Sequence, residues 1–268
     1  MKRRLLASLL TLVMMLSLLP TVAWARNDEG IDADSVEMYS SDDVVTSGPM
    51  TIWTGKIVQI TVPEGDTVRS SNTDIVSVEK NGTAVTLTGG SKEGRAEVTA
   101  GESTWVVYNY ASEAEYNYLY SLFHGKTISV MGDSISTIKD KIPSGNALYY
   151  DNTTGKEMTF ERNYWGDIIT RFGAAEGIDE AWSGSTIGSK AASMASKDRI
   201  NKLDDNGTPD VILYYGGSNP DGSVGTFDPD ADYAKTVDWA QSYSDTASAY
   251  AACRQRIKET YPDTVFIA

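Results

Sequence analysis

The chain has 268 residues, and its 37 Asp and Glu against 23 Lys and Arg give a net charge of −14 at pH 7. Binding to nucleic acid or anionic lipid requires clustered Lys and Arg, so this balance argues against both kinds of partner. Cys253 is the single cysteine, which excludes an intrachain disulfide. The sequence has no Cys/His cluster with the spacing of a zinc site, and we expect neither a metal nor a cofactor.

Residues 1–25 have the three-part order of a secretory signal peptide. A basic start at residues 2–4 precedes an apolar run over residues 5–19, and the Ala-Trp-Ala of residues 23–25 matches a signal-peptidase site. The apolar run is shorter than the ~20 residues of a membrane-spanning helix. We therefore expect cleavage after Ala25 and a secreted or cell-surface bacterial protein without membrane contact. Cleavage moves the net charge from −14 to −17 because it removes three basic residues.

Residues 26–46 are acidic and polar, which predicts a solvated linker. Residues 47–110 then consist of short β-type segments separated by turn residues, as in a small β-sandwich. The predicted strands are residues 51–53, 57–62, 75–79, 84–88, 96–99 and 105–110.

Three sequence features of residues 47–110 resemble bacterial Ig-like domains of group 2. They are a Gly-x-x-x-x-Ile opening at residues 55–60, SSNTDIVSV at residues 70–78 and GRAEVTA at residues 94–100. The resemblance implies an Ig-like β-sandwich that acts as a spacer or as a weak binding module for a cell surface or polysaccharide. It implies no catalytic residues.

Residues 111–126 are predicted to form a connecting helix. Aromatic and aliphatic residues recur in it at helical spacing, namely Tyr116, Leu119, Tyr120 and Phe123. We interpret this stripe as a packing face, with carbohydrate stacking as the alternative.

From residue 127 onward, short apolar strands alternate with helices, which predicts a parallel sheet covered on both faces. The predicted strands are residues 127–131, 178–182, 211–215 and 264–268, and the main helices are residues 163–172 and 233–260. Ligands of such sheets bind at the carboxyl ends of the strands, so the loops that follow the strands are the candidate site.

Three of these strand ends carry residues suited to acyl transfer. The sequences are GDSIS at residues 132–136, WSGST at residues 182–186 and GGSN at residues 216–219. Acyl transfer requires a nucleophile and hydrogen-bond donors for the oxyanion of the tetrahedral intermediate. Ser134 is the candidate nucleophile, while Gly184 allows close approach of a backbone N–H and Asn219 offers a side-chain amide.

The three motifs, in this order and each after a strand, resemble those of the SGNH (GDSL-like) hydrolases over residues 127–268. The resemblance implies a flavodoxin-like three-layer α/β domain with Ser134 as the nucleophile. It further implies an oxyanion hole made by the N–H groups of Ser134 and Gly184 and the side chain of Asn219. The sequence has no Gly-x-Ser-x-Gly elbow, which argues against an α/β-hydrolase.

The sequence departs from the family pattern in two places. Pro220 follows Asn219, where the family often has Asp. The Asp-x-x-His motif that supplies the base and its orienting acid is not found, so we expect an incomplete hydrolase domain that ends before this motif. The one histidine, His124, lies on the connecting helix, and we expect it at the opposite edge of the sheet from Ser134.

These observations lead to two hypotheses. The first is a secreted serine esterase or acyl hydrolase acting on carbohydrate or lipid-like esters through Ser134, Gly184 and Asn219. The second is a non-catalytic cell-surface or matrix-binding protein that uses the Ig-like domain, with the α/β domain as a scaffold.

Overall fold

The computed structural model describes residues 37–39, 49–150, 158–188, 193–219 and 245–268. The predicted signal peptide lies outside this part of the chain, as does most of the predicted linker. Helices α1 to α4 are numbered here along the described residues, as are strands β1 to β12.

The first eight strands form two four-stranded sheets with the orders β1-β3-β6-β5 and β2-β8-β7-β4. Their bounds are β1 Glu37–Tyr39, β2 Met50–Trp53, β3 Ile57–Thr61, β4 Val68–Ser70, β5 Val76–Asn81, β6 Ala84–Gly89, β7 Gly94–Ala100 and β8 Ser103–Tyr110. Side chains from both sheets, including Ile52, Leu87, Val98 and Trp105, form one buried core. All six predicted strands are confirmed, whereas the Ig-like assignment remains a prediction.

Strand β1 corrects the prediction of a continuous solvated linker over residues 26–46. It pairs in parallel with β3, with Glu37 opposite Val58 and Tyr39 opposite Ile60. The polar composition of the segment did not prevent this pairing because a sheet edge offers backbone hydrogen bonds to any extended chain.

A third sheet is wholly parallel and has the order β10-β9-β11-β12. Its strands are β9 Thr127–Gly132, β10 Ala175–Ala181, β11 Val211–Tyr215 and β12 Val265–Ile267. The prediction of a parallel sheet is thereby confirmed. Strand β10 begins three residues before the predicted start, and its register shifts between Glu176 and Asp179.

Four helices accompany these strands in the described residues: α1 Glu113–Phe123, α2 Tyr164–Phe172, α3 Lys197–Asn201 and α4 Thr246–Thr260. The side chains of Ser112 and Asn163 cap α1 and α2, and Gly173 ends α2 with a left-handed φ of 63°. The prediction of a helix over residues 233–260 is wrong at Asp245, because α4 begins only at Thr246. Asp245 has extended backbone and caps the helix by accepting the Ser248 N–H. The earlier part of that predicted helix lies outside the described residues.

Both faces of the parallel sheet are buried. On one face, Met131 and Ile212 pack with Ile200 of α3 and Ala252 of α4. The other face packs against α1 and α2 through a cluster that includes Phe123, Val130, Trp165, Ile169 and Leu213. The structure thus has the predicted order of a helical layer, a parallel sheet and a second helical layer.

The last strand of the sandwich, β8, also contributes side chains to this second cluster. Tyr108 and Tyr110 of β8 are buried with Ile169 and Val130, so the sandwich and the parallel sheet share a core through α2. The Tyr108 hydroxyl donates to the Asp167 carboxylate, which also pairs with Arg171. The described part of the sandwich is therefore packed on the α/β layers and is not a separate module on a free linker.

Among the described residues, no helix has the length and apolar character needed to cross a bilayer.

Candidate active site

Ser134 lies directly after β9, in a 3₁₀ turn over Ser134–Ser136, and is partly exposed. The preceding Asp133 is fully buried, and its carboxylate accepts the Ile135 N–H at 3.1 Å. The Thr137 hydroxyl donates to the Ser134 carbonyl oxygen at 2.8 Å. These bonds fix the turn, so Ser134 has a defined position at the carboxyl edge of the sheet.

The amino-terminal residues of α2 hold the same turn from one side. The Trp165 indole N–H donates to the Ser136 carbonyl oxygen at 2.8 Å, and the Asn163 side-chain amide donates to the Ile135 carbonyl oxygen at 3.2 Å. The hydroxyl groups of Tyr164 and Ser136 are hydrogen-bonded at 2.9 Å. Burial raises the pKa of Tyr164, so its hydroxyl is neutral near pH 7.

Gly184 occupies the turn after β10. Its φ of 79° is in the left-handed region that favours glycine, and a Cβ built there would meet no atom within 4 Å. The Ser185 N–H donates to the Trp182 carbonyl oxygen at 3.3 Å, and the Ser183 N–H donates to that of Ala147 at 2.8 Å. Glycine is therefore required here for the backbone conformation, and open space borders the residue.

Asn219, in the loop after β11, is half-buried and donates its side-chain amide to the Ser185 carbonyl oxygen at 2.9 Å. An amide has two N–H groups, so one stays available to a further acceptor. In the same loop, the Ser218 N–H donates to the Asp133 carboxylate at 3.3 Å. The structure thus connects the loops of Ser134, Gly184 and Asn219 by direct hydrogen bonds at one edge of the sheet.

His124 lies away from these loops, as predicted. It follows α1 and precedes β9, its Nδ1 is 2.8 Å from the Phe172 carbonyl oxygen, and its ring stacks on Tyr120 with centroids 4.2 Å apart. Strand β9 has six residues, so at ~3.3 Å per residue its two ends are separated by roughly 15 Å or more. His124 is therefore at the amino-terminal edge of the sheet and does not reach Ser134.

A buried arginine behind the loops was missed by sequence reasoning. Arg199 is 2% exposed, and its guanidinium donates to the Gly132 carbonyl oxygen at 2.8 Å and to the Ser185 hydroxyl. It lies in a polar segment with no motif, so nothing in the sequence distinguished it from a surface arginine. Burial lowers its pKa to about 10, an effect that the Glu180 carboxylate opposes, and the group stays charged near pH 7.

Strand β10 carries a second buried ionisable group. Asp179 is 7% exposed, and burial raises the pKa of its carboxyl group well above the ordinary value, although the Ala181 amide and Arg199 act in the opposite direction.

In the described residues, no group of three or more His, Cys, Asp or Glu side chains could hold a metal ion.

A cavity of about 560 Å³ opens at the carboxyl ends of β11 and β12, beside the Asn219 loop. It is lined by Tyr214, Tyr215, Gly216, Gly217, Ser218, Tyr250 and Ala268. Ser134 is not among its lining residues, so this space borders the hydrogen-bonded loops on the β11 side.

Comparison with known proteins identifies a family. The model of the GDSL-like lipase/acylhydrolase family matches residues 126–268, more than half of the chain. No curated protein matches the chain.

Solved structures give looser similarities. A protein described as a GDSL-like lipase from Bacteroides uniformis is 24% identical, with a TM-score of 0.40 over 53% of this chain and 68% of that chain. One described in the same words from Bacteroides ovatus is 22% identical, with a TM-score of 0.38 over 53% and 70%. A GH10 xylanase with a bacterial Ig-like domain from termite gut is 13% identical, with a TM-score of 0.19 over 81% and 61%.

These structural similarities are too low to assign a family, so the family assignment is based on the sequence match alone. That match begins just before β9 and includes all three strand-end motifs. The chain therefore belongs to the GDSL-like lipase/acylhydrolase family, which supports a hydrolase function.

Proposed function

We propose that the chain is a secreted serine ester hydrolase that cleaves acyl esters of carbohydrates or lipid-like molecules without a metal or cofactor. The observation that carries this proposal is the hydrogen-bonded junction of three strand-end loops. Asn219 bonds to the Gly184 loop through Ser185, and Ser218 bonds to the Ser134 loop through Asp133. A nucleophile and two kinds of amide donor thereby share one edge of the sheet.

In this mechanism the Ser134 hydroxyl attacks the ester carbonyl carbon while a base removes its proton. The carbonyl oxygen becomes an oxyanion that accepts hydrogen bonds from the N–H groups of Ser134 and Gly184 and from the side chain of Asn219. As the tetrahedral intermediate collapses, the protonated base gives its proton to the leaving oxygen, so the bond to that oxygen breaks, the alcohol departs and acyl-Ser134 remains. Water then hydrolyses this acyl-enzyme and restores Ser134.

The base and its orienting acid are assigned to an Asp-x-x-His motif that residues 1–268 do not include. His124 is a poor candidate because its ring is engaged with the Phe172 carbonyl oxygen and with Tyr120. Without a base the serine is a weak nucleophile. We therefore expect a protein limited to these 268 residues to show little or no esterase turnover, and a form with the added motif to be active.

The test is covalent labelling with a fluorophosphonate, followed by mass spectrometry of the modified peptide. The proposal predicts modification of Ser134 in the form that carries the added motif, slow or undetectable modification of the 268-residue form, and none in Ser134→Ala. In the form that carries the added motif, labelling of Ser134→Ala equal to that of the unsubstituted protein would contradict it.

The alternative is a non-catalytic surface- or matrix-binding protein that uses the Ig-like domain. It is supported by the two four-stranded sheets that β1 to β8 form, whose side chains share one buried core. Sequencing the gene beyond codon 268 distinguishes the two. An Asp-x-x-His within roughly 100 further residues, a window set by ordinary domain size, supports the esterase. A stop codon directly after Ala268, with retention of the protein on polysaccharide, supports the alternative.

A further inference from the structure

Arg199 lies at the centre of the hydrogen-bonded loops, although it belongs to none of the motifs. It is on α3, is 2% exposed, and has its guanidinium carbon 3.4 Å from the centroid of the Trp182 ring. Its Nε is 3.7 Å from the Glu180 carboxylate. The aromatic face and the carboxylate compensate the charge in a site with little water.

The guanidinium donates to three acceptors on two neighbouring strands and the turn that follows one of them. These are the carbonyl oxygen of Gly132 at the end of β9, the carbonyl oxygen of Glu180 in β10 and the hydroxyl of Ser185. A planar group with five N–H donors can serve three acceptors at once, whereas a lysine ammonium on a flexible stem cannot copy that geometry. Arg199 therefore fixes the spacing between the strand end that precedes Ser134 and the turn that holds Gly184.

Ser185 transmits this restraint to two of the three proposed oxyanion donors, Gly184 and Asn219. It directly follows Gly184, so anchoring its hydroxyl restrains the backbone on the carboxyl side of Gly184, while the bond from the Ser183 N–H to the Ala147 carbonyl oxygen restrains the amino side. Its carbonyl oxygen accepts the Asn219 amide at 2.9 Å, which fixes the rotamer of that side chain. Ser185 is 2% exposed, so water does not replace either bond at low cost.

We propose that Arg199 is a positioning residue that holds the Gly184 and Asn219 donors in place relative to Ser134. The catalytic part of this inference rests on the proposed function. Its structural part, the dependence of the two donors on Arg199, can be measured without activity.

Arg256 provides a matched control. It is also a fully buried arginine of the same α/β layers, 1% exposed, and it donates to the Ala195 carbonyl oxygen. Arg199→Lys and Arg256→Lys both disturb buried arginine hydrogen bonds, but only Arg199 is seen to bond directly to Gly132 and Ser185. Ser185→Ala removes the hydroxyl that Arg199 contacts while retaining the carbonyl oxygen, and it serves if Arg199→Lys does not fold.

The experiment compares ¹H–¹⁵N NMR spectra of the 268-residue protein and these three variants. We expect the Gly184 backbone signal and the Asn219 side-chain signals to shift in Arg199→Lys and in Ser185→Ala, and to stay in place in Arg256→Lys. Shifts at Gly184 and Asn219 in Arg199→Lys no larger than those in Arg256→Lys would overturn the inference. If Arg199→Lys is unfolded, the Asn219 side-chain signals of Ser185→Ala decide it, because the Gly184 signal shifts in any variant of its chain neighbour. Unshifted Asn219 signals in Ser185→Ala would then overturn the inference.

Ester hydrolysis by an esterase-active form adds the catalytic readout. We expect kcat to fall roughly 10- to 100-fold in Arg199→Lys and KM to change by less than about twofold, because the donors act in the transition state. An unchanged kcat despite shifted signals would contradict the catalytic role. If Ser134→Ala retains full activity while the signals shift, the proposed function fails and the structural role of Arg199 stands.

Discussion

The side-chain amide of Asn219 donates a hydrogen bond to the carbonyl oxygen of Ser185 across 2.9 Å. The two residues follow β11 and β10, which are not adjacent, since β9 lies between them in the sheet. Their bond therefore joins the two loops that flank the strand leading to Ser134. This arrangement gives the candidate site its defined geometry at the edge of the sheet.

The first prediction concerns Asn219. In an esterase-active form, Asn219→Ala should lower kcat by roughly 10² to 10³, the cost of one oxyanion donor. Loss of the bond to Ser185 should also lower the free energy of unfolding by about 1 kcal/mol. Steady-state hydrolysis of an aryl ester and urea unfolding measure the two effects. The control is Asn146→Ala, an exposed residue that bonds only locally to Pro143 among the described residues, and a comparable loss of kcat there would contradict the role of Asn219.

The second prediction separates backbone strain from catalysis at Gly184. Alanine at a left-handed position costs about 1–2 kcal/mol. Gly184 and Gly125 have φ of 79° and 66°, and a Cβ added to either would meet no atom within 4 Å. Gly184→Ala and Gly125→Ala should therefore lower stability similarly. Only Gly184→Ala should lower kcat, since Gly125 lies at the amino-terminal edge of the sheet. Equal effects of both variants on kcat would show that Gly184 contributes only to stability.

The sequence predicted the elements around the site because local signals specify them. The alternation of apolar strands and helices gave the parallel sheet, and the three motifs placed Ser134, Gly184 and Asn219 at strand ends. The helix start at Thr246 was missed because the cap of Asp245 depends on backbone geometry that residue types do not specify.

The hydrogen bonds that hold the loops of the site in place could not be predicted, because each depends on a tertiary contact. Trp165 is fully buried, as its apolar ring alone would favour, but its indole also donates to the Ser136 carbonyl oxygen 29 residues away. Arg199 bonds to Gly132 across 67 residues. No periodicity or spacing in the sequence encodes such pairs, whereas the family resemblance concerned only the candidate site residues Ser134, Gly184 and Asn219.

The third prediction is a pH dependence of stability at Asp179. Burial raises the pKa of this carboxyl above its ordinary value of 3.8, so the folded protein binds the proton more tightly than the unfolded chain does. The free energy of unfolding therefore falls as pH rises from about 4 through the raised pKa. Asp179→Asn removes this penalty and should be more stable than the parent at pH 7.5, by an amount that shrinks towards pH 4.

Urea unfolding at both pH values checks this expectation. Glu97→Gln is the control, because Glu97 is also a strand residue, on β7, but its side chain is half-exposed and paired with Arg95 at 2.8 Å. A stability difference for Asp179→Asn that is the same at pH 4 and pH 7.5 would show that burial does not perturb this carboxyl.

The fourth prediction concerns export. The basic start, the short apolar run and the Ala-Trp-Ala of residues 23–25 predict a mature protein that begins at Arg26. Amino-terminal sequencing of protein from the culture medium measures this directly. Recovery of secreted protein that retains Met1 would refute cleavage.

The central claim is that Ser134 is the nucleophile, and the most direct test is the kcat of Ser134→Ala in an esterase-active form. Removing the nucleophile of an assembled triad costs on the order of 10⁶ in kcat, so hydrolysis of an aryl ester should fall to the background rate while the fold persists. Ser136→Ala, two residues away in the same turn, should retain most of the activity because its hydroxyl bonds to Tyr164. Hydrolysis by Ser134→Ala at the parental rate would contradict the account.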